Sequence, residues 1–125
     1  MTIIDSNTAP VFAYGNVQFT GLASPTRGSR DNSVWRISVA PGTVHAGAHQ
    51  VTREEIFVAI SGAAEVMLGG SAMALAAGSA VVLPADTDFS LANSGSEPFE
   101  AVVVLPVGGQ AVIAGQPPFV PPWAA

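Results

Sequence analysis

Residues Ala48 to Gly62 read AHQVTREEIFVAISG. His49 is followed six positions later by Glu55, and an apolar run then continues to Gly62. A short run rich in β-branched and aromatic residues that ends at glycine is typical of a β-strand. The stretch therefore predicts a strand, and its two polar residues are a metal site, an acid–base pair or isolated polar positions.

Short apolar segments of similar length lie on both sides of this strand. They read VWRISVAPG, AAEVMLGG, SAMALAAG, SAVVLPA, DFSLANSG and FEAVVVLPVGG, and Gly or Pro stands at or near the end of each. None has the periodicity of an amphipathic helix. Strands of even length separated by turn residues predict an all-β sandwich or barrel.

Composition excludes several classes of function. The 125 residues suit one domain, and they include no Cys, no Lys, four Arg and nine acidic residues, for a net charge of −5. A disulfide framework, a thiolate nucleophile and a lysine Schiff base are therefore excluded. The shortage of positive charge argues against binding to nucleic acid or to an anionic membrane surface.

The chain shows no sign of a targeting or membrane segment. No basic region precedes an apolar one at the start, and the most apolar stretch, Ala72 to Ala85, is broken by Gly78 and Ser79. A membrane-spanning helix needs about 20 consecutive apolar residues. The sequence therefore predicts a cytoplasmic protein.

The single domain has three parts by composition. Residues 1–33 contain two short strands and a polar loop, residues 34–115 contain the regular strands, and residues 116–125 form a proline-rich arm. Prolines cannot donate to a β-ladder, so the arm should run as extended chain. We expect Phe119 and Trp123 to dock on the barrel or on a neighbouring subunit; the alternative is a ligand for a polyproline-binding module.

The first strand segment resembles the first motif of the cupin family. That motif consists of a glycine, two histidines separated by one residue, a glutamate and a second glycine. Its matches in this chain are Gly42, His49, Glu55 and Gly62, with one more residue than usual between Gly42 and His49.

The second cupin motif is also matched. Its glycine, proline and asparagine correspond to Gly78, Pro84 and Asn93, and Asp86 stands where the family has a further glycine. Together the two motifs cover residues 42–93. The resemblance to a small single-domain cupin implies an all-β jelly-roll barrel, the cupin double-stranded β-helix.

The resemblance also implies a degenerate metal site. Metal-binding cupins hold one ion through the two histidines and the glutamate of the first motif and a histidine of the second. The corresponding residues here are His49, Val51, Glu55 and Phe89. Because a firmly held transition metal needs about three or four protein ligands, we expect no metal and no other cofactor.

His45 offers a substitute ligand, which would be the third beside His49 and Glu55. It lies four residues before His49, and with Glu55 the two histidines would give a metal-dependent cupin oxygenase. In a helix this spacing would bring both rings to one face. Gly47 and the strand context indicate extended or bent chain instead, and we expect His45 to be a solvated residue at the barrel mouth.

Strand alternation predicts the composition of the pocket. Glu55 and Phe57 share one face of their strand, and Phe89 and Leu91 share one face of theirs. A buried carboxyl is disfavoured in its charged form, and a nearby imidazolium favours that form, so His49 and Glu55 should titrate as a coupled pair.

The candidate site residues fall into two groups. The predicted catalytic residues are His49 and Glu55. The predicted substrate-binding residues are Val51, Phe57, Phe89, Leu91 and Arg36. Arg36 either binds a substrate carboxylate or, more commonly for such a residue, forms a surface or interface salt bridge.

We therefore expect a stand-alone cupin that binds a small, largely apolar organic molecule and transfers protons as an isomerase, cyclase or lyase. The alternatives are a non-catalytic binding or sensing module and the metal-dependent oxygenase described above. The opposite face of the central strand, formed by Ile56, Val58 and Ile60, is also apolar. This doubly apolar strand predicts a homodimer.

Overall fold

The computed structural model describes residues 1–125 and is built almost entirely of β-strands. The strands are β1 Val11–Tyr14, β2 Val17–Ala23, β3 Asn32–Val39, β4 His49–Val51, β5 Glu55–Ser61, β6 Ala63–Leu68, β7 Ser71–Ala76, β8 Ala80–Leu83, β9 Phe89–Ala92, β10 Phe99–Pro106 and β11 Ala111–Ile113. Two short 3-10 helices span Pro25–Arg27 and Pro122–Ala124. The protein contains no helix that is long and apolar enough to cross a membrane. The cytoplasmic location stays a prediction.

The strands form two antiparallel sheets. The six-stranded sheet has the order β1-β2-β3-β10-β5-β8, and the five-stranded sheet has the order β11-β4-β9-β6-β7. Strand β10 lies between β3 and β5, so that Val103 is opposite Trp35 on one side and Phe57 on the other. The predicted all-β jelly roll is confirmed.

Side chains alternate between the core and the outer surface along the central strands. On β10, Phe99, Ala101, Val103 and Leu105 are buried, and the residues between them are partly exposed. This period of two places one apolar face of each sheet against the other. Each large side chain buried in this way stabilises the fold by about 1.5–3 kcal/mol.

Four motif positions have left-handed backbone, namely Gly42, Gly62, Gly78 and Asp86, and two of them explain the residue found there. Gly62 has φ +72°, and a Cβ there would lie 2.3 Å from the carbonyl oxygen of Pro98, so only glycine fits. Asp86, at the place of the family's further glycine, has φ 59°. Aspartate is one of the few side chains that adopt this conformation without large strain. The substitution at Asp86 therefore keeps the backbone geometry of the motif.

The proline-rich arm docks on its own barrel. The ring of Trp123 stacks on Phe19, with centroids 3.7 Å apart and an interplanar angle of 7°. Ser33 Oγ donates a hydrogen bond of 2.6 Å to the carbonyl of Ala124. Phe119 pairs with Ala111 through two backbone hydrogen bonds. The arm thereby becomes a fixed wall of the barrel.

Candidate functional site

A cavity of about 560 Å³ lies inside the barrel. Eighteen of its 24 lining residues are hydrophobic, so its character is apolar with a few polar groups. Both predicted catalytic residues and four of the predicted substrate-binding residues line it: His49, Glu55, Val51, Phe57, Phe89 and Leu91. The cupin motif alignment predicted His49, Val51, Glu55 and Phe89 as facing the interior, and period-two alternation added Phe57 and Leu91.

His49 begins β4 and lies directly opposite Phe89 of β9. The two rings are in contact, with centroids 4.0 Å apart and an interplanar angle of 50°. Burial lowers the pKa of His49 below its usual value, because an imidazolium would be poorly solvated there. At neutral pH the ring is therefore neutral and able to accept a proton.

Glu55 begins β5 in the facing sheet and is only 4% exposed. Burial raises the pKa of its carboxyl group from 4.5 to about 8. Arg36 contacts Glu100 and His45 contacts Glu65, and no basic side chain is paired with Glu55, so nothing offsets this burial. At neutral pH the carboxyl group is mostly protonated and can donate a proton.

The structure gives the balance between the two effects expected on this pair. From the sequence, burial should disfavour a charged Glu55 and an imidazolium at His49 should favour it. Burial acts on both groups, lowering one pKa and raising the other. The result is a neutral acid and a neutral base in one cavity, two groups that can serve general acid–base catalysis.

Arg36 does not line the cavity. It lies on the outer face of β3 and forms a salt bridge with Glu100 of the neighbouring β10. Alternation explains this position, because Trp35 and Ile37 occupy the inner face of the same strand. We therefore do not propose a substrate-binding role for Arg36. It forms the surface salt bridge that was expected as the alternative.

Several aromatic lining residues were not predicted as site residues. They are Tyr14, Phe19, Trp35, Phe119 and Trp123. The period of two along β3 could have identified Trp35, because it shares the inner face of this strand with Ile37. The others come from the N-terminal hairpin and the C-terminal arm, which meet only through contacts distant in sequence.

The residues present do not fit the metal centre that the family implies. Val51 and Phe89 occupy two of the four ligand positions, and both are buried apolar side chains. No group of three or more His, Cys, Asp or Glu side chains is arranged to hold an ion. His45 does not join His49 and Glu55, since its two ring nitrogens contact Ser90 and Glu65.

Two antiparallel sheets around an apolar cavity define this chain as a jelly-roll barrel. The cupin domain family matches residues 35–105, which is more than half of the chain. The protein therefore belongs to the cupin family, as the two motifs indicated. No curated protein sequence matches it.

Solved structures with a similar fold include enzymes of different kinds. The polyketide cyclase RemF from Streptomyces resistomycificus has a TM-score of 0.80 at 13% identity, over 94% of this chain and 87% of that one. A sugar phosphate isomerase of the cupin superfamily from Silicibacter pomeroyi has a TM-score of 0.71 at 15% identity, over 90% and 82%. A cupin 2 conserved barrel domain protein from Salinispora arenicola has a TM-score of 0.67 at 27% identity, over 83% and 87%.

Proposed function

We propose that this cupin binds a flat, largely apolar carbonyl compound in its barrel and catalyses proton transfer on it, as a cyclase or isomerase. The observation that carries the proposal is the neutral acid–base pair in an apolar cavity. Burial of the two groups in facing sheets gives each the protonation state its role requires.

In the proposed reaction, the Glu55 carboxyl donates a proton to the substrate carbonyl oxygen. The neutral His49 imidazole removes a proton from the adjacent carbon, and the electron pair of that C–H bond forms the enol double bond. In a cyclase, the enol attacks a second carbonyl, its hydroxyl proton returns to the Glu55 carboxylate, and the His49 imidazolium protonates the new alkoxide. In an isomerase acting on an unsaturated ketone, the imidazolium instead returns its proton to the far end of the conjugated dienol, and the hydroxyl proton again returns to Glu55. Both steps conserve protons and electrons and need no further reactant.

The lining favours an aromatic polyketide over a sugar phosphate. Aromatic rings from both sheets and from the arm, including Phe57, Phe89 and Trp123, offer flat apolar contacts. No arginine lines the cavity, and the chain has no lysine, so a phosphate would have no cation to bind. The fold shared with RemF is compatible with this choice.

The proton transfer can be tested with 2-tetralone, an aromatic ketone with exchangeable protons next to its carbonyl. Hydrogen–deuterium exchange at that carbon, followed by NMR in D2O, measures the proposed step directly. His49→Gln and Glu55→Gln should each slow the catalysed exchange by about 100-fold or more. Gln50→Ala, which alters the neighbour of His49 outside the cavity, should leave it unchanged. Wild-type rates in His49→Gln would contradict the proposal.

A non-catalytic binding module is the second candidate, because the cavity contains few polar groups to direct a reaction. In that case His49 only orients the ligand. The same experiment separates the two functions: 2-tetralone would bind to the wild type, as seen by quenching of its tryptophan fluorescence, but its protons would exchange no faster than in buffer.

We also propose that the protein is a homodimer. Val58, Ile60 and Val82 lie on the outer face of β5 and β8 with exposures of 42%, 48% and 49%. An exposed apolar patch of this kind can be buried against the same patch of a second copy across a two-fold axis. Light scattering at micromolar concentration should give twice the chain mass, and Val58→Glu should give the mass of one chain. A monomeric wild type would contradict this prediction.

A further inference from the structure

The segment formed by residues 44–48 covers one side of the cavity. Val44, Ala46, Gly47 and Ala48 all line the cavity, so four of the five residues contact the space where a ligand would lie. Val44 is nevertheless 79% exposed. An apolar residue that touches both the cavity and the solvent marks the mouth of the barrel.

Segment 44–48 is weakly attached through its backbone. The preceding residue, Thr43, pairs with Asn93, and the following residue, His49, begins β4. Between these two points no residue makes a backbone–backbone hydrogen bond. Segments without such bonds belong to the least stable parts of a fold and open most readily.

The side chain of His45 supplies the hydrogen bonds that hold this segment. Its Nδ1 shares a hydrogen bond of 2.8 Å with Ser90 Oγ, and its Nε2 shares one of 2.9 Å with Glu65 Oε1. Both partners belong to the five-stranded sheet, on β9 and β6. His45 therefore joins the segment to the barrel at one point.

The C-terminal arm, which also lines the cavity, is attached much more firmly. In the C-terminal arm, Trp123 is stacked on Phe19, and the Ala124 carbonyl accepts a hydrogen bond from Ser33. Thr26 Oγ1 donates a further hydrogen bond to the backbone of the last residue, Ala125. A ligand will therefore enter more easily past segment 44–48 than past the arm.

The Ser90, His45 and Glu65 contacts use the residue types of a nucleophilic triad, and Ser90 lines the cavity. In a nucleophilic triad the carboxylate is buried beside the imidazole, whereas the Glu65 side chain is 55% exposed. The contacts of His45 with Ser90 and Glu65 therefore support a structural role, which is to hold segment 44–48 against the barrel.

We propose that segment 44–48 is the entry gate of the cavity and that His45 is the latch that holds it closed. This inference rests on the proposed function only in requiring that the cavity takes up an apolar ligand. Two hydrogen bonds between partly exposed side chains contribute modestly to stability, so the closed state dominates while thermal opening still admits a ligand.

The gate can be tested with N-phenyl-1-naphthylamine, an uncharged aromatic probe that becomes fluorescent in apolar sites. Trp35 and Trp123 are the two tryptophans of the chain and both line the cavity, so energy transfer from them reports occupancy. In stopped-flow mixing, His45→Ala should raise the association and dissociation rates together by about ten-fold, with much less change in Kd. Gln50→Ala, which removes a similar surface hydrogen bond to Asp88, should not change either rate.

A cross-linked variant tests the closed state. Because the chain has no native cysteine, His45→Cys combined with Glu65→Cys provides a unique pair of thiols for a short bismaleimide. Before cross-linking the probe should enter fast, as in His45→Ala, and after cross-linking it should enter more slowly than in the wild type.

Equal rates in the wild type and His45→Ala, or unchanged entry after cross-linking, would overturn the gate while leaving the proposed function standing. A wild type that does not bind the probe at all would overturn the proposed binding function and the gate with it.

Discussion

Between about pH 5 and about pH 9, the free energy of unfolding of the wild type is expected to fall by about 4 kcal/mol more than that of Glu55→Gln. The cause is the burial of Glu55, which raises the pKa of its carboxyl group from 4.5 to about 8 in the folded protein. Since small domains are stable by only about 5–15 kcal/mol, this single group should dominate the alkaline limb of the stability profile.

The sign follows from proton linkage. Between pH 4.5 and about 8 the folded state keeps a proton on Glu55 that the unfolded state has lost. The corresponding stability is therefore fully present below pH 4.5 and is lost as the pH rises through about 8. His49 acts in the opposite direction, because its lowered pKa gives stability that is present above its usual value of 6.5 and lost in acid. Because the wild type and Glu55→Gln both contain His49, its contribution cancels in the comparison.

Urea denaturation at several pH values measures the effect. Glu54→Gln is the matched control, because it removes an exposed carboxyl group from the neighbouring residue, and it should retain the wild-type dependence on pH. Parallel stability profiles for wild type and Glu55→Gln would show that Glu55 is ionised in the folded protein, and the assignment of the acid would be wrong.

The parts of the fold that follow from local rules could be predicted from the sequence. A period of two along the strand placed Glu55 and Phe57 inside, and turn residues such as Gly62 marked the strand ends. The cupin motifs aligned two segments that each supply one strand to each sheet, β4 and β5 in the first motif and β8 and β9 in the second. These features depend on neighbours close in sequence, which is why they were accessible.

The remaining site features depend on contacts distant in sequence. Trp123 reaches the cavity through contacts distant in sequence, above all its stacking on Phe19, and a proline-rich arm has no periodicity that indicates where it docks. The hydrogen bonds of His45 depend on the path of an irregular segment. The direction of the pKa shifts was also uncertain from sequence, because desolvation and an opposite charge act against each other on Glu55 and only the structure gives their balance.

Four ligand positions converge in the barrel, although only two carry ligands in this chain. His49 and Phe89 are directly opposite on β4 and β9, and Val51 follows His49 by two residues on the same face. Glu55 approaches from the facing sheet. Three positions from one sheet and one from the other can surround a single ion.

We therefore expect Val51→His combined with Phe89→His to create a zinc site. Three imidazoles and one carboxylate suit tetrahedral zinc, at distances of about 2.0–2.2 Å. Without zinc the double variant should be less stable than the wild type by about 2–4 kcal/mol, because the buried Phe89 ring is lost from its contacts with His49 and Phe57. Zinc at about 1,000 times its Kd should restore about 4 kcal/mol.

Thermal unfolding with and without zinc, together with the zinc content of the purified protein, measures this gain. Val51→Ala combined with Phe89→Ala is the matched control, because it loses similar packing without adding ligands, and zinc should not stabilise it. The wild type should likewise show no zinc-dependent change in Tm, since two ligands beside two apolar side chains hold an ion poorly. One zinc per wild-type chain, lost on His45→Ala, would instead show that His45 leaves Glu65 and Ser90 to complete a metal site with His49 and Glu55, and the proton-transfer chemistry proposed for the barrel would have to be replaced.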